Sequence, residues 1–144
     1  MENGENKNSK EYNNNGDIIS IREYLNEKKH EYGKDYYNGI LIFEGEYLNG
    51  KRNGKGIEYD SHTGKIIFEG EFISNIKWSG KGYNEKNEIE YEIKDGTGKV
   101  KEYFNDKLIY EGEYLKGKRN GYGKAYNFYG ELTFEGEYLN GERK

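Results

Sequence analysis

The chain has 144 residues, a net charge of −4 at pH 7, and neither Pro, Cys nor a long apolar run. This length predicts a single domain, and the composition argues against a disulfide framework and a membrane-spanning helix. The acidic balance, with a pI near 5.4, argues against nucleic acid as a partner, because phosphate binding needs a basic surface.

The first segment, residues 1–17, consists mainly of Asn, Lys, Glu and Gly, with Tyr12 as its one aromatic residue. Such a segment buries too little apolar surface to offset the entropy lost on ordering, and it lacks the apolar core of a signal peptide. We predict a disordered polar tail over 1–17 and a repeat domain over 18–144. The predicted location is cytoplasmic, with attachment to a membrane surface or to the cytoskeleton as alternatives.

The unit over 20–42 is a degenerate copy of the repeat found in the units that follow. Its residues 20–33 align without gaps to the stretch 43–56, but Ser20 replaces the leading aromatic residue and Arg22, Glu27 and Glu31 replace glycines. Because a side chain at the position of Gly45, here Arg22, crowds the aromatic face, this unit is predicted to act as a cap, as terminal repeats often do.

The unit over 43–67 shows the pattern most clearly. Its first strand alternates aromatic or glycine residues with acidic ones over 43–47, which is the period of a half-buried strand. Asn49-Gly50 and Asn53-Gly54 both accept positive φ, so the chain is predicted to reverse between Leu48 and Lys55 and to return from Lys55. Each unit is therefore predicted to be one β-hairpin.

The remaining units vary this pattern. The unit over 68–88 has a longer predicted turn, in which Trp78 either anchors a partner or covers a neighbouring hairpin. The unit over 89–109 is shortened, and the unit over 110–133 repeats the pattern almost letter for letter. The partial unit over 134–144 has one strand and the start of a turn, so its strand is expected to leave backbone groups that can pair with another chain.

A family resemblance rests on two of these stretches. The pattern Tyr/Phe-x-Gly-x-aromatic-x-x-Gly-x-x-x-Gly-x-Gly occurs at Phe43 to Gly56 and at Tyr110 to Gly123. It resembles the MORN repeat (membrane occupation and recognition nexus), and with degenerate copies the resemblance covers residues 20–144. It implies an all-β fold, an elongated, single-layer, twisted antiparallel sheet of consecutive β-hairpins. It also implies an aromatic groove used for scaffolding, self-association or membrane attachment.

Three sets of residues are candidates for function. The aromatic residues of the groove, for protein or lipid binding, are Phe43, Tyr47, Phe68, Phe72, Tyr110, Tyr114, Phe134 and Tyr138. The basic turns are Lys28, Lys29, Lys51, Arg52, Lys118 and Arg119. The packing glycines, which leave room for rings from across the hairpin, are Gly45, Gly54, Gly56, Gly70, Gly80, Gly82, Gly112, Gly121, Gly123 and Gly136.

No catalytic site, metal site or cofactor is predicted. The spacing of glycine and lysine at 45–51 and 112–118 matches a phosphate-binding loop, but Arg follows where Ser or Thr would hold Mg²⁺. His30 and His62 lie far apart in the repeat order, which does not suit metal ligation or general-base catalysis. Paired carboxylates recur with every strand, whereas an active site needs one asymmetric arrangement.

These observations predict a non-enzymatic scaffold that binds protein partners, or further copies of itself end to end, through the groove and the sheet ends. One alternative is peripheral binding to anionic phospholipid membranes, in which each basic residue contributes about 1 kcal/mol, although the rows of Glu oppose close approach. A second alternative is a small bacterial immunity or antitoxin-like binding protein.

Overall fold

The structure, a computed structural model, describes residues 7–24 and 30–144, and its regular elements are β-strands. The strands are β1 (Lys7–Tyr12), β2 (Ile18–Tyr24), β3 (His30–Tyr37), β4 (Ile40–Leu48), β5 (Lys51–Tyr59), β6 (Ile66–Ile73), β7 (Ile76–Tyr83), β8 (Ile89–Ile93), β9 (Gly98–Phe104), β10 (Lys107–Leu115), β11 (Lys118–Tyr126), β12 (Leu132–Leu139) and β13 (Glu142–Arg143).

The chain forms two compact units, the first ending at Ile76 and the second beginning at Lys77. In the first unit, β1 to β6 form an antiparallel sheet in sequential order. In the second unit, β7 pairs with β8, and β9 to β13 form an antiparallel sheet, again in sequential order. The predicted all-β fold of consecutive antiparallel hairpins is thereby confirmed.

Short turns of one kind close the hairpins within the repeats. At Asn49-Gly50 the two φ angles are 53° and 80°, and at Lys116-Gly117 they are 54° and 81°. Positive φ at both central residues is the type I′ geometry, whose twist matches that of the flanking strands. Residues that tolerate this region therefore fix the register of each hairpin.

A second, longer kind of turn is built around an Asn or Asp side chain. The Asn127 Oδ1 atom accepts hydrogen bonds from the backbone N–H groups of Tyr129 (2.9 Å) and Glu131 (3.0 Å). Asn13 and Asn84 make the same pair of bonds to residues two and four positions later. Asp60 accepts from His62 and Thr63, each at 2.8 Å. In each of these turns the Asn or Asp at the start holds the backbone by side-chain hydrogen bonds, and in the Asp60 turn the Thr63 hydroxyl also accepts from the Lys65 N–H over 3.2 Å.

A bulge follows the short turn of the two clear repeats. The register shifts between Gly45 and Tyr47, and Gly54 in the facing strand has a φ of 108°. Its position corrects one prediction, since strand β5 begins at Lys51 and not at Lys55. Asn49-Gly50 makes the turn, while Gly54 supplies the positive φ of the bulge.

The predicted tail of residues 1–17 is also corrected, because Lys7–Tyr12 forms β1 and pairs with β2. The turn at Asn13 supplies the local hydrogen bonds that join the two strands. Lysine-rich sequence is compatible with a strand that has one neighbour, since charged side chains protect a sheet edge. Residues 1–6 lie outside the described part of the chain.

Trp78 lies within strand β7, not in a turn as predicted. A Cβ atom built on Gly96 would stand 2.8 Å from Cζ3 of Trp78, and the Gly96 N–H donates to the Trp78 carbonyl over 2.7 Å. The Trp78 ring therefore covers a neighbouring turn of the second unit, the packing role that the sequence left open.

Candidate binding site

One face of the first unit carries a line of aromatic rings, which we call the aromatic face. Phe43 contacts Tyr47 and Phe72 edge to face, with ring centroids 5.7 and 5.3 Å apart, and Phe72 contacts Phe68 in the same way at 5.6 Å. Edge-to-face pairs are favourable because the positive edge of one ring meets the negative face of another. The four predicted groove residues of this unit are thus brought together.

The second unit repeats this arrangement on its own aromatic face. Tyr110 and Tyr138 stand edge to face at 5.3 Å, as do Phe134 and Tyr138 at 5.4 Å, while Tyr114 lies tilted against Tyr110 at 6.2 Å. The glycines Gly112, Gly123 and Gly136 pair across β10, β11 and β12 beneath these rings. A Cβ atom on Gly123 would lie 2.4 Å from the Tyr110 hydroxyl, so the row of glycines makes room for the rings.

Most of these rings are buried. The exposed fraction is 0% for Phe43, Phe68 and Tyr110 and no more than 3% for Tyr47, Phe72 and Tyr138. Tyr114 and Phe134 are half-buried. In each unit the rings form the core of the sheet, and other side chains of the aromatic face stand between them and solvent.

In the first unit this outer layer is an arrangement that we call the first clamp, formed by Asp35, Phe43, Tyr47 and Arg52. The Arg52 guanidinium stacks on the Phe43 ring, 3.9 Å from its centroid, and lies 3.8 Å from an Asp35 oxygen. The Tyr47 hydroxyl donates to the same carboxylate. Burial and the bond to Asp35 raise the pKa of Tyr47 to about 12, so the hydroxyl stays protonated and remains a donor.

The second clamp is the equivalent group in the second unit, formed by Glu102, Tyr110, Tyr114 and Arg119. Arg119 binds the Glu102 carboxylate with two parallel bonds, from Nε over 3.0 Å and from Nη2 over 2.8 Å. It also stacks on Tyr110, 4.3 Å from the ring centroid, and the Tyr114 hydroxyl donates to Glu102. The hydrogen bond to Glu102 raises the pKa of Arg119.

Comparison with known families agrees with this geometry. The model of the MORN repeat family matches residues 43–61 and 110–126, which cover most of the hairpins β4–β5 and β10–β11. The chain therefore contains two MORN repeats, at residues 43–61 and 110–126. No curated protein gives a significant match to it.

MORN repeats indicate a repeat scaffold for binding a protein or a membrane, and proteins built from them are in general not enzymes. Within residues 7–24 and 30–144, no set of His, Asp and Glu side chains is arranged to hold a metal ion. No helix in that same part of the chain is long and apolar enough to cross a membrane.

The basic residues of the MORN turns divide into two groups. Lys51 and Lys118 are exposed. Arg52 and Arg119 instead turn onto the aromatic face, where their side chains are 23% and 27% exposed and paired with carboxylates. Lys28 and Lys29, also predicted as basic-turn residues, lie outside the described residues.

The opposite face of each MORN unit carries Glu side chains bonded to tyrosines. Glu44 accepts from the hydroxyls of Tyr59 (2.7 Å) and Tyr32 (2.9 Å), and these bonds, that from Tyr59 above all, lower the pKa of Glu44. In the second unit Glu90 accepts from Tyr103 over 2.8 Å. The lowered pKa keeps Glu44 charged, so these Glu side chains are carboxylates whose oxygens already accept hydrogen bonds from neighbouring tyrosines.

The packing glycines occupy two settings. Those that pair across neighbouring strands on the aromatic faces are Gly45, Gly56, Gly70, Gly112, Gly123 and Gly136. Those at the bulges, next to a glutamate of the facing strand, are Gly54 and Gly121. In β7, Gly80 pairs with Ile93, and Gly82 lies against the Tyr91 ring.

Sequence reasoning missed an exposed apolar cluster in the second unit, which we call the aromatic turn: Phe104, Phe128, Tyr129 and Leu132. Their exposed fractions are 53%, 58%, 89% and 50%. The rings of Phe104 and Phe128 lie 5.8 Å apart. Phe128-Tyr129 stands at the centre of an Asn-x-x-Gly turn, whereas the related turns have polar residues there. Two aromatic residues in a turn of this kind could therefore have been noticed in the sequence.

The clamp carboxylates Asp35 and Glu102 were missed as well. Each lies 12 residues before the tyrosine that donates to it. This equal spacing in two copies of the repeat is visible in the sequence once the register of the hairpins is known.

Proposed function

We propose that this MORN-repeat protein is a non-enzymatic scaffold that binds a protein partner through the aromatic turn. The observation that carries the proposal is the exposure of Phe128 and Tyr129, at 58% and 89%. Aromatic side chains that are exposed on a rigid support are typical anchors of protein interfaces, where they supply large contact area at little entropic cost.

The fold does not need aromatic residues at these two positions. In the two other turns of the same length the corresponding pairs are Asn14-Asn15 and Glu85-Lys86, and the longer turn after Asp60 has the polar pair Ser61-His62. All four turns are held by the Asn or Asp at their start. Since polar pairs satisfy the same backbone geometry, Phe128-Tyr129 is better explained by contact with a partner than by stability.

The charges beside the aromatic turn favour a protein over an anionic membrane. Asp106 follows Phe104 closely and Glu131 follows Tyr129, while Lys107 is the cation next to them in sequence. A surface of this charge repels acidic head groups. We therefore expect a partner with an apolar patch flanked by basic residues.

Membrane binding through the basic turns has weaker support. Arg52 and Arg119 form ion pairs on the aromatic faces, which leaves Lys51, Lys116 and Lys118 as the exposed described cations of these turns. At about 1 kcal/mol for each basic residue near an anionic surface, three lysines on two separate turns give only modest affinity.

The test compares the full chain with a variant carrying Phe128→Asn and Tyr129→Asn, the pair that Asn14-Asn15 already provides in the first turn. Both are used to capture partners under crosslinking, and each captured protein is then purified and titrated calorimetrically. A partner that binds the wild-type chain and loses at least tenfold in affinity with the double variant supports the proposal. A matched control, Asn14→Ser with Asn15→Ser, is expected to bind like wild type.

Two other results would contradict it. Salt-sensitive flotation with phosphatidylserine vesicles but not with neutral vesicles, unchanged in the double variant, would favour membrane attachment. Sedimentation showing a concentration-dependent oligomer that the double variant also forms, with no other bound protein, would favour self-association through the sheet ends.

A further inference from the structure

A third copy of the clamp occurs in the second unit, and it lacks the carboxylate. In the first two clamps Asp35 pairs with Phe43 across the strands, and Glu102 pairs with Tyr110. The same register pairs Ala125 with Phe134. Ala125 thus occupies the position of the acidic residue.

The other members of this third copy are all present. Tyr138 pairs with Arg143 as Tyr47 pairs with Arg52 and Tyr114 with Arg119. Arg143 stacks on the Phe134 ring, 4.6 Å from its centroid, as Arg52 and Arg119 stack on theirs. We call the group Ala125, Phe134, Tyr138 and Arg143 the open clamp.

Two polar groups lose their acceptor as a result. The Tyr138 hydroxyl is buried in a side chain that is 2% exposed, and it has no hydrogen-bond partner within the described chain. Arg143 likewise makes no ion pair with any residue of 7–24 or 30–144. A buried hydroxyl without a partner is costly, so it marks a place where an acceptor is expected to bind.

We infer that the open clamp binds a carboxylate supplied by an acidic side chain of the partner protein. In both filled clamps the Tyr hydroxyl donates to a carboxylate that pairs with the stacked Arg, and in the first clamp Arg22 also pairs with that carboxylate, over 2.9 Å. Its planar pair of oxygens matches the guanidinium fork, as Glu102 and Arg119 illustrate. The open clamp offers the same donors to a carboxylate from outside.

A carboxylate can reach this position from solvent. The side chains of Asp35 and Glu102 are 22% and 24% exposed in the filled clamps, so the bound group lies at the surface of the aromatic face. Arg143 belongs to the two-residue strand β13, both of whose residues are exposed. It can therefore adjust around an incoming group with little disruption of the sheet.

The open clamp lies close in sequence to the aromatic turn, since Ala125 and Phe134 are on the two strands that this turn joins. The inference that the carboxylate belongs to a protein rests on the proposed function. The inference that the ligand is a carboxylate rests on the open clamp alone. The partner would then present an acidic residue near the apolar patch that meets Phe128 and Tyr129.

The first test uses the full chain labelled for NMR. It is titrated with an acetylated, amidated peptide Gly-Glu-Gly, with the matched peptide Gly-Gln-Gly, and with inorganic phosphate. We expect saturable shifts of the Arg143 side chain and of the Tyr138 ring with the Glu peptide and none with the Gln peptide. No saturable shift with the Glu peptide, or an equal response to phosphate, would overturn the assignment.

Variants then locate the binding. Arg143→Gln is expected to lower the affinity for the Glu peptide by about tenfold or more, the usual effect of removing a charged hydrogen-bond donor. Tyr138→Phe is also expected to weaken it, and this variant should fold because Phe72 stands at the equivalent place of the first unit. Unchanged affinity in both variants would place the peptide elsewhere.

A last pair of variants supplies the carboxylate within the chain. Ala125→Asp is expected to abolish binding of the Glu peptide and to raise the Tm above that of Ala125→Asn, because Asp can accept from both Tyr138 and Arg143. Equal Tm values with binding intact would count against the open clamp. The Phe128→Asn, Tyr129→Asn variant should still bind the Glu peptide, which separates failure of the clamp from failure of the aromatic turn.

Discussion

At the scale of single residues, the aromatic face depends on the absence of Cβ atoms beneath its rings. A Cβ on Gly123 would stand 2.4 Å from the Tyr110 hydroxyl and 2.6 Å from its Cε1, and Tyr110 is fully buried. The ring cannot move aside without disturbing its neighbours, so Gly123→Ala is expected to lower the free energy of unfolding by about 1–3 kcal/mol, the usual cost of overpacking. Urea denaturation measures this change.

Gly136 provides the matched control for that substitution. It lies in the same row of glycines, but its nearest neighbour is Phe134 Cζ at 3.1 Å. Because Phe134 is only half-buried, the ring can shift by the small distance required. Gly136→Ala should therefore cost clearly less than Gly123→Ala, and equal costs would show that lost backbone freedom, not ring contact, decides the effect.

In the second clamp the Glu102 carboxylate accepts hydrogen bonds from both Tyr114 and Arg119. The contribution of its negative charge to stability can be tested. Glu102→Gln keeps the size of the side chain but replaces one acceptor oxygen of the bidentate pair with a donor facing Arg119. We expect a loss of about 1.5–3 kcal/mol in the free energy of unfolding, the range for a hydrogen bond to a charged group. Glu142→Gln, at an exposed position, is the control and should leave stability within experimental error.

At the scale of elements, the short turns differ in how well their residues suit positive φ. Lys116 has a φ of 54°, a region that Asn49 and Asn140 occupy in the equivalent turns. Asn tolerates left-handed backbone better than Lys because its short polar side chain bonds locally. Lys116→Asn is thus expected to stabilise the chain by about 0.5 kcal/mol, measured by urea denaturation. The reverse change, Asn49→Lys, should destabilise it, and the same sign for both would contradict this account.

The sequence predicted strands and turns correctly where a single local signal, such as alternation or an Asn-Gly pair, decides the structure. It predicted them less well where pairing with a neighbouring strand overrides the local signal. Alternation over 43–47 predicts β4, and Asn49-Gly50 predicts its turn. Asn53-Gly54 carries the same signal, yet it lies in a bulge, and only pairing with the facing strand decides between the two. Composition likewise concealed β1, because the turn at Asn13 and pairing with β2 outweigh the low hydrophobicity of Lys7–Tyr12.

At the scale of the whole molecule, the repeat determines which residues meet, but not which of them are accessible. The sequence predicted that the aromatic residues share one face of each hairpin. It did not predict that Arg52 and Arg119 stack on those rings, because each clamp joins three strands and the bulge sets its register. The predicted groove residues consequently lie largely in the core, while exposed aromatic area is found at Phe128 and Tyr129.

Hydrogen bonds from tyrosines to carboxylates occur on both faces and in both units, so alkaline pH should destabilise the whole molecule. Burial, with the bond to Asp35, raises the pKa of Tyr47 from 10.0 to about 12. Burial, with the bond to Glu44, raises the pKa of Tyr32 by a similar amount, also to about 12. In the unfolded chain both hydroxyls lose their protons near the ordinary value.

The sign of the effect follows from the direction of these shifts. Where the folded-state pKa of a group is raised, its stabilising contribution is complete below the unfolded pKa and is lost as pH rises through the folded pKa. The free energy of unfolding should therefore fall between pH 10 and about 12, as measured by urea denaturation with tyrosinate absorbance recorded in parallel. Tyr47→Phe should make this decline less steep, because one fewer proton is then released on unfolding. A decline that is already complete below pH 10, or an unchanged slope in Tyr47→Phe, would mean that the clamp hydroxyl is not held as a protonated donor.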